Sequence, residues 1–578
     1  MEMAKDGGDA EPEGEEVRNS ARKFALQNAV QHEGKCEVGP VMARVLGERP
    51  EWRPYAKFIS GLVSWEVQEV NSLKSHAQIE ELTSIDPDLL EREIRERERG
   101  LPDLEGVNGE VVMRFAPGPS GPLHIGHSRA AILNDEYVRR YGGRYILRLE
   151  DTDPARIMPE AYDMIREDME WLGCAVHEVY EQTDRFDLYY DHARQLLEME
   201  AAYVCTCPAE ELRQLRAAGK ACPHRDVVAP VHLDMWDRML EGDYGQGEAS
   251  VVVKTDLEDP NPALRDFVAL RISDEPHPRT GDRYRVYPLY NFSVALDDHL
   301  MGLTHVLRGK DHLNNTLRQM WVYKYFNWIP PQFHHYGFVS IADTVLKTSH
   351  IKASLADGKY TGWDDPRLGT IRALARRGLS PEALRRYWVD ASIRPIEIKF
   401  SWKTLFAHDR DIHEATSPRL FFVAKPVELS VASKGPLVGH APVHPDRPEM
   451  GVREVALPAG EDGGYRVLIP MDDLPRISSV GRFRLKDLGN FEFTGPRDIT
   501  FIGDDLTIVK EGAPIIHWTT PEGIRALVRH PDGAEETGVV EPKALELDGE
   551  FVQFERYGFT RIEVDTGDPS VTAFFAYR

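Results

Sequence analysis

Cysteine and lysine are scarce in this 578-residue chain, and its apolar runs are short. The five cysteines, Cys36, Cys174, Cys205, Cys207 and Cys222, are too few and too unevenly spread for a disulfide framework. No apolar stretch approaches the roughly 20 residues of a membrane-spanning helix. The opening MEMAKDGGDAEPEGEE has neither the basic nor the apolar region of a signal peptide. The expectation is a cytoplasmic protein with no membrane partner. Only 19 of the 70 basic residues are Lys, and the formal net charge is −25, which argues against a non-specific, basic nucleic-acid binder. A Lys-poor acidic surface suits a high-salt cytoplasm, where screening weakens self-repulsion. A GC-rich genome and an ordinary acidic enzyme give the same composition.

The length predicts several domains. Residues 1–19 are acidic and rich in Gly and Pro, the composition of a disordered start. Residues 20–107 show helical spacing in ARKFALQNAVQHEG and VNSLKSHAQIEELTS, then the charged run DPDLLEREIRERERG, which reads as a solvated helix face. From 410 to 578, short β-rich runs alternate with Pro/Gly turns (RLFFVAKPVELSV, YRVLIP, DITFIG, GEFVQFERYGFTRIEVD), the spacing of all-β barrels or sandwiches.

Residues 111–153 carry the most information. An apolar run, Val111 to Phe115, gives way to a Pro/Gly loop that opens into a helical pattern at His124-Ile125-Gly126-His127. A second strand, Tyr145 to Leu149, ends in Glu150-Asp151-Thr152-Asp153. This is a βαβ unit whose polar residues fall at strand ends and at a helix start, where backbone N–H groups and the helix dipole converge on anions. Gly126 permits close approach of a nucleotide, and two imidazoles flank it. The pattern is neither GxGxxG nor a Walker loop.

RFAPGPSGPLHIGH followed by RLEDTDPAR resembles the class I aminoacyl-tRNA synthetases, in their glutamyl/glutaminyl branch and its archaeal type. The resemblance implies a helical N-terminal extension (20–107) and a Rossmann-type α/β catalytic domain (108–345). An insertion at about 200–285 would receive the tRNA acceptor end, and sheet patterns resume at Arg283–Tyr287, Thr304–Arg308 and around Tyr336–Val339. A signature loop and helical connector (346–409) and anticodon-binding β-barrels (410–578) would follow. The implied reaction is attack of glutamate's carboxylate on the α-phosphorus of Mg-ATP, then transfer of the acyl group to the terminal ribose of tRNA(Glu). In organisms lacking a glutaminyl enzyme, tRNA(Gln) is charged as well. A monomer is expected.

No nucleophilic side chain is needed, so catalysis is positioning plus electrostatic stabilisation. ATP is expected on Pro117, Gly118, His124, Gly126 and His127. Capping of the helix is the plainer role for the two histidines. Glutamate, with one ammonium and two carboxylates, is expected on Arg114, Ala116, Glu150, Tyr290 and Arg308. Glu150 suits the ammonium, and the arginines suit bidentate pairing with carboxylates. In YPLYNFSVALDDHLMGLTHVLRGKDHLNNTLRQ, Arg308 stands where glutamyl enzymes place the Arg facing the side-chain carboxylate and glutaminyl enzymes a small uncharged residue. A surface ion pair is its alternative role. Asp297 and Asp298 either cap structure or contact the acceptor end.

The second nucleotide signature departs from the family pattern. In Val345-Leu346-Lys347-Thr348-Ser349-His350-Ile351-Lys352, Thr348 occupies the position of the expected lysine. Lys347 with Ser349 is the expected substitute, ahead of His350, which is charged only when protonated, and Lys352. Cys205-x-Cys207 and Cys222-x-His224 offer three thiols and an imidazole, enough for a structural zinc, and resemble a site in the acceptor-binding insertion of some glutamyl enzymes. Unliganded thiols are the alternative. The rival functions are a glutaminyl-tRNA synthetase, disfavoured by Arg308, and a catalytically silent tRNA-binding paralogue, motivated by Thr348.

Overall fold

The computed structural model describes residues 12–32, 34–86, 89, 100–460 and 464–578. It divides into two compact units, 1–99 and 100–578. The first holds helices α1 (Gly14–Gln31), α2 (Val38–Glu48), α3 (Ala56–Ser72) and α4 (Ser75–Ile85). They close around Leu26, Val41, Val45, Ile59, Val63 and Leu82. Helix α1 begins inside the stretch expected to be disordered. Val17 is its first fully buried residue, so burial of that side chain carries the helix past the boundary that composition suggested. Residues 1–11 and most of the charged run (87–88 and 90–99) lie outside the described residues.

The second unit opens with β1 (Val112–Phe115), α5 (Ile125–Tyr141), β2 (Arg144–Leu149), α6 (Ala161–Trp171), β3 (Glu178–Glu181) and α7 (Phe186–Glu198). Strands β1, β2 and β3 form a parallel sheet in that order. All four residues of β1 are buried, the signature of a parallel strand covered on both faces. Gly142 ends α5 in the left-handed region (φ 69°). At Gly143 a Cβ would lie 1.8 Å from the Val111 carbonyl oxygen, so only glycine lets the chain turn back into β2.

The insertion contributes β4 (Ala202–Cys205), α8 (Ala209–Ala217), α9 (Ala229–Glu241), β5 (Ser250–Val253), β6 (Phe267–Ile272) and β7 (Val286–Pro288). Its four strands form an antiparallel sheet in sequence order. The sheet pattern at 283–287 is therefore the last strand of the insertion. Val286 and Tyr287 bury with Phe186 and Trp236 in a core that the insertion shares with α7, α10 and α11, and β7 pairs with β6. The chain then continues with α10 (Tyr290–Leu300), β8 (His305–Gly309), α11 (Leu313–Tyr325) and β9 (Gln332–Tyr336). The Thr304 N–H donates to the Val112 carbonyl at 3.0 Å, which sets the start of β8 beside β1. Helix α12 (Thr348–Ala356) and helices over Ile371–Arg376, Pro381–Ala391 and Trp402–His413 lead to the β region.

A seven-stranded sheet there starts at Arg419–Leu420 and ends at Phe422–Ala424, so the single residue Phe421 closes it on itself. In a six-stranded sheet, Leu468 and Thr519 exchange backbone hydrogen bonds of 2.8 and 3.0 Å between its two edges. Closure of this kind removes exposed strand edges. Phe554 is fully buried and stacks on Phe422, with centroids 4.9 Å apart, in the core of the seven-stranded sheet. Among the described residues, no helix is long and apolar enough to cross a membrane.

Candidate active site

The loop from Ala116 to Leu123 is held by backbone bonds on both sides. Glu150 N–H donates to Pro117 O (3.0 Å) and Met158 N–H to Pro119 O (2.9 Å). Leu123 N–H donates to the Asp168 carboxylate at 2.7 Å, and Ile125 N–H to Gly369 O at 3.0 Å. A cleft of about 490 Å³ opens over this loop, lined among others by Pro117, Gly118, His124, His127, Glu150, Tyr290 and Lys347. These are sequence-predicted site residues brought together from four separate segments. Ala116, Gly126, Arg114, Arg308 and Ser349 do not line it.

His124 caps α5 and also lines the cleft, so capping does not remove it from the site. Its Nδ1 accepts from Gly126 N–H at 3.0 Å, and His127 Nδ1 accepts from His124 N–H at 3.3 Å. With both Nδ1 lone pairs used, each neutral ring carries its proton on Nε2. The rings stack with centroids 3.7 Å apart and planes at 17°. Burial pulls His124 down to about 4 and His127 well below the usual imidazole range. Both are therefore neutral hydrogen-bond donors at neutral pH. A Cβ on Gly126 would lie 2.9 Å from His124 Cε1, so that glycine makes room for the imidazole. The close approach expected there is made by a side chain of the protein itself.

Beneath the cleft lies a buried ionic cluster that sequence reasoning did not assemble. Arg148 on β2 is fully buried; its Nη2 donates to Glu150 at 3.1 Å and its Nη1 pairs with Asp298 at 2.8 Å. Arg114 on β1 reaches the same Asp298 through Nε and Nη2, both at 3.4 Å. Asp297 accepts from Arg185 (2.7 Å), Gln182 (2.9 Å) and Tyr189 (2.6 Å). Neither aspartate caps a helix or faces an open surface; both neutralise buried arginines. Burial pushes Asp298 up, but Arg114, Arg148 and Arg308 outweigh it and hold the carboxyl below its usual value. Burial raises Glu150 against the opposing pull of Arg148 and Arg114. The available signal was Arg148 itself, a charge inside an apolar strand that requires partners.

Arg308 on β8 is 4 % exposed, which rules out the surface ion pair. Its Nη2 donates to Thr316 Oγ1 (2.5 Å) and Gln319 Oε1 (2.8 Å), neither of them charged, and its guanidinium lies 4.9 Å above the Phe333 ring. Its Nε and Nη1 are buried and have no hydrogen-bond partner among the described residues. Desolvation lowers its pKa. Tyr290, at the start of α10, bonds through its hydroxyl to His312 Nδ1 at 3.0 Å.

Lys347 is exposed and precedes α12, lining the cleft together with Leu346 and Thr348. A Cβ on Gly121 would fall 2.6 Å from Thr348 Cγ2, so the two signature loops touch at a glycine. Ser349, expected beside Lys347, is exposed away from the cleft lining, because the chain has by then turned into helix and Thr348 takes the inward place.

In the insertion, donor atoms of Cys205, Cys207, Cys222 and His224 lie within 4.8 Å of one another. The Cys222 sulfur is 3.3 Å from Cys205 Sγ, 3.6 Å from Cys207 Sγ and 3.3 Å from His224 Nδ1. His224 Nε2 bonds to Thr206 Oγ1 at 3.0 Å, leaving the Nδ1 lone pair for the thiol cluster.

Residues 110–412 match the family model for the catalytic domain of class I tRNA synthetases (E and Q), and residues 417–503 match that family's anti-codon binding domain. A "Glutamate--tRNA ligase" of Methanocorpusculum labreanum is 44% identical over 97% of this chain and 99% of its own length. Those of Methanoculleus marisnigri and Methanothermobacter thermautotrophicus are each 45% identical, over 96% and 97% of the chain and 98% and 100% of theirs. With both family models matching in chain order and the signature histidines at the cleft, the chain belongs to the class I tRNA synthetases of the glutamyl and glutaminyl family.

Proposed function

We infer that the chain is an ATP-dependent glutamate–tRNA ligase. The observation that carries the amino-acid choice is Arg308, a buried guanidinium that makes no ion pair among the described residues and whose Nε and Nη1 have no hydrogen-bond partner there. A glutamate side chain supplies the missing anion, whereas glutamine leaves the charge uncompensated. Glu150 takes the substrate ammonium, and Tyr290 bounds the pocket between them. Arg114 is already engaged by Asp298, so its part is to share that carboxylate with Arg148 and to add positive potential on the α-carboxylate side.

In the first step a glutamate carboxylate oxygen bonds to the α-phosphorus of ATP, and the bond to the β-phosphate oxygen breaks, releasing diphosphate. The Nε2–H groups of His124 and His127 donate to phosphate oxygens as charge moves onto them. Lys347 adds a cation from the facing loop, in place of the lysine that Thr348 replaces. Magnesium enters with ATP and is held chiefly by the phosphates. In the second step the terminal ribose hydroxyl of tRNA attacks the glutamyl carbonyl carbon and AMP leaves. The products are glutamyl-tRNA(Glu) and, in a cell without a glutaminyl enzyme, glutamyl-tRNA(Gln).

The Cys205, Cys207, Cys222 and His224 donors fit a zinc ion. Five of their six separations are 3.3–3.8 Å, at or a little below the roughly 3.8 Å edge of a tetrahedron built on about 2.3 Å Zn–S bonds. Three thiols and an imidazole leave no open coordination position, so the ion would brace the insertion and take no part in the chemistry. A monomer working in a salt-rich cytoplasm accords with the Lys-poor acidic composition.

The deciding experiment is aminoacylation at high KCl with labelled Glu or Gln and each of tRNA(Glu) and tRNA(Gln). Glutamate charging is expected. Glutamine charging would establish the glutaminyl alternative, and no charging by folded, tRNA-binding protein would establish the silent paralogue.

A further inference from the structure

Three arginines act on Asp298, but they are held differently. Arg114 and Arg148 both reach its carboxylate. Arg308 makes no ion pair among the described residues; its Nη2 donates to the hydroxyl of Thr316 (2.5 Å) and the amide oxygen of Gln319 (2.8 Å). Burial lowers the Arg308 pKa; Tyr290 and Asp298 oppose that shift and Arg114 adds to it. The Thr316 oxygen also lies 2.8 Å from His335 Nε2. Burial and the neighbouring Arg308 pull that imidazole down to about 4, so the ring behind the hydroxyl is neutral as well.

Gln319 is the informative member. It is fully buried on α11, three residues after Thr316 and on the same face. A guanidinium only donates, so the amide presents its oxygen to Arg308 and turns its Nε2 away. That Nε2 is buried and has no partner among the described residues. A buried amide with an idle donor costs stability, and two side chains of similar length avoid the cost. Met has no N–H or C=O to bury. Glu has no N–H either, and it would give Arg308 the charge-assisted bond that a buried guanidinium ordinarily has. Stability alone therefore disfavours glutamine at this position. The amide does what neither alternative can: it holds the guanidinium in place and leaves its charge uncancelled.

We propose that Gln319 determines the choice of glutamate over glutamine: its amide oxygen, with the Thr316 hydroxyl, orients Arg308 without neutralising it, so that the cation is left for the side-chain carboxylate of the substrate. Gln319 and Thr316 are positioning residues that act through Arg308. The proposal rests on the ligase reading and on Arg308 facing that carboxylate.

The test uses the full chain as wild type, Gln319→Glu and Gln319→Met. Charging of tRNA(Glu) with labelled glutamate, with unlabelled glutamine as competitor, gives the glutamate KM and the glutamine inhibition constant. Thermal melts accompany each. Gln319→Glu places an internal carboxylate on the guanidinium. Its glutamate KM is expected to rise roughly tenfold or more, with the glutamine inhibition constant and the ATP KM nearly unchanged. Discrimination between the two amino acids then falls by the same factor, in a protein that melts at or above the wild-type temperature. Gln319→Met leaves Arg308 charged but less well aimed, so its glutamate KM should rise with a smaller loss of discrimination. Unchanged discrimination in Gln319→Glu, or equal losses in both variants, would give Gln319 a packing role only and overturn the proposal while the ligase reading stands. A Gln319→Glu protein that melts well below wild type would mean that Arg308 is already neutralised, and overturns it as well. Folded wild-type protein that charges no glutamate overturns the ligase reading, and the proposal with it.

Discussion

Arg148 and Asp298 are joined by a 2.8 Å ion pair beneath the cleft, and Arg148 is also the residue that holds Glu150. The orientation of the ammonium-binding carboxylate therefore depends on an aspartate 148 positions away that touches no substrate atom. Asp298→Asn is expected to destabilise the fold by about 3 kcal/mol, the cost of an uncompensated buried charge. The folded fraction should show a raised KM for glutamate and an unchanged KM for ATP. Steady-state kinetics beside thermal melts checks this; equal changes in both KM values would show a general loss of structure instead.

Arg308→Ala should lower kcat/KM for glutamate by roughly a hundredfold or more. Its melting temperature should hold or rise, since a buried guanidinium without a carboxylate partner is being removed. Activity lost together with stability would mean that Arg308 braces the fold through Thr316 and Gln319 and does not read the substrate.

The two signature histidines predict an acid sensitivity of definite sign. Their pKa values are depressed in the fold, His124 to about 4, so the folded state binds fewer protons than the unfolded chain. Their contribution is fully present above the usual imidazole value of about 6.5 and is lost as pH falls through the folded values. The double variant His124→Asn/His127→Asn should lose activity, yet denature at a lower pH than wild type. An acid midpoint that does not move would contradict neutral, buried rings.

Lys347→Ala should reduce kcat by roughly tenfold or more while leaving glutamate binding nearly intact, because a phosphate-facing cation acts on the developing charge. Adding Thr348→Lys in that background should restore part of the rate. Full activity of Lys347→Ala would transfer the role to Lys352 or dispense with it.

Purified protein should carry about one zinc per chain, and Cys205→Ala should lose it together with several degrees of melting temperature. Metal content well below one in protein never exposed to chelator would favour free thiols.

The βαβ start, the helical N-terminal unit and the β-rich end were legible because each is written locally. A mostly apolar strand running into a Pro/Gly loop and a helical pattern, helical spacing of apolar residues, and short β-rich runs between Pro/Gly turns need no distant partner to be recognised. The pairing of the strand at 283–287 was not legible, since Val286 and Tyr287 suit either sheet until Phe186 and Trp236 are packed against them. Nor was the inward turn of Thr348 in place of Ser349, which depends on contact with Gly121 more than two hundred residues away.

The sequence alone determined the chemistry on offer: two imidazoles at a helix start, an acid at the end of β2, an arginine at position 308 and three cysteines with a histidine in the insertion. Only the tertiary structure decided the state of each. It used both Nδ1 atoms as caps and so placed the protons on Nε2, gave Arg114 and Arg148 a shared aspartate, and left Nε and Nη1 of Arg308 without a hydrogen-bond partner among the described residues. The reason is electrostatic. A charge removed from water takes its pKa, its orientation and its need for a partner from atoms within a few ångströms, and here most of those atoms come from distant parts of the chain.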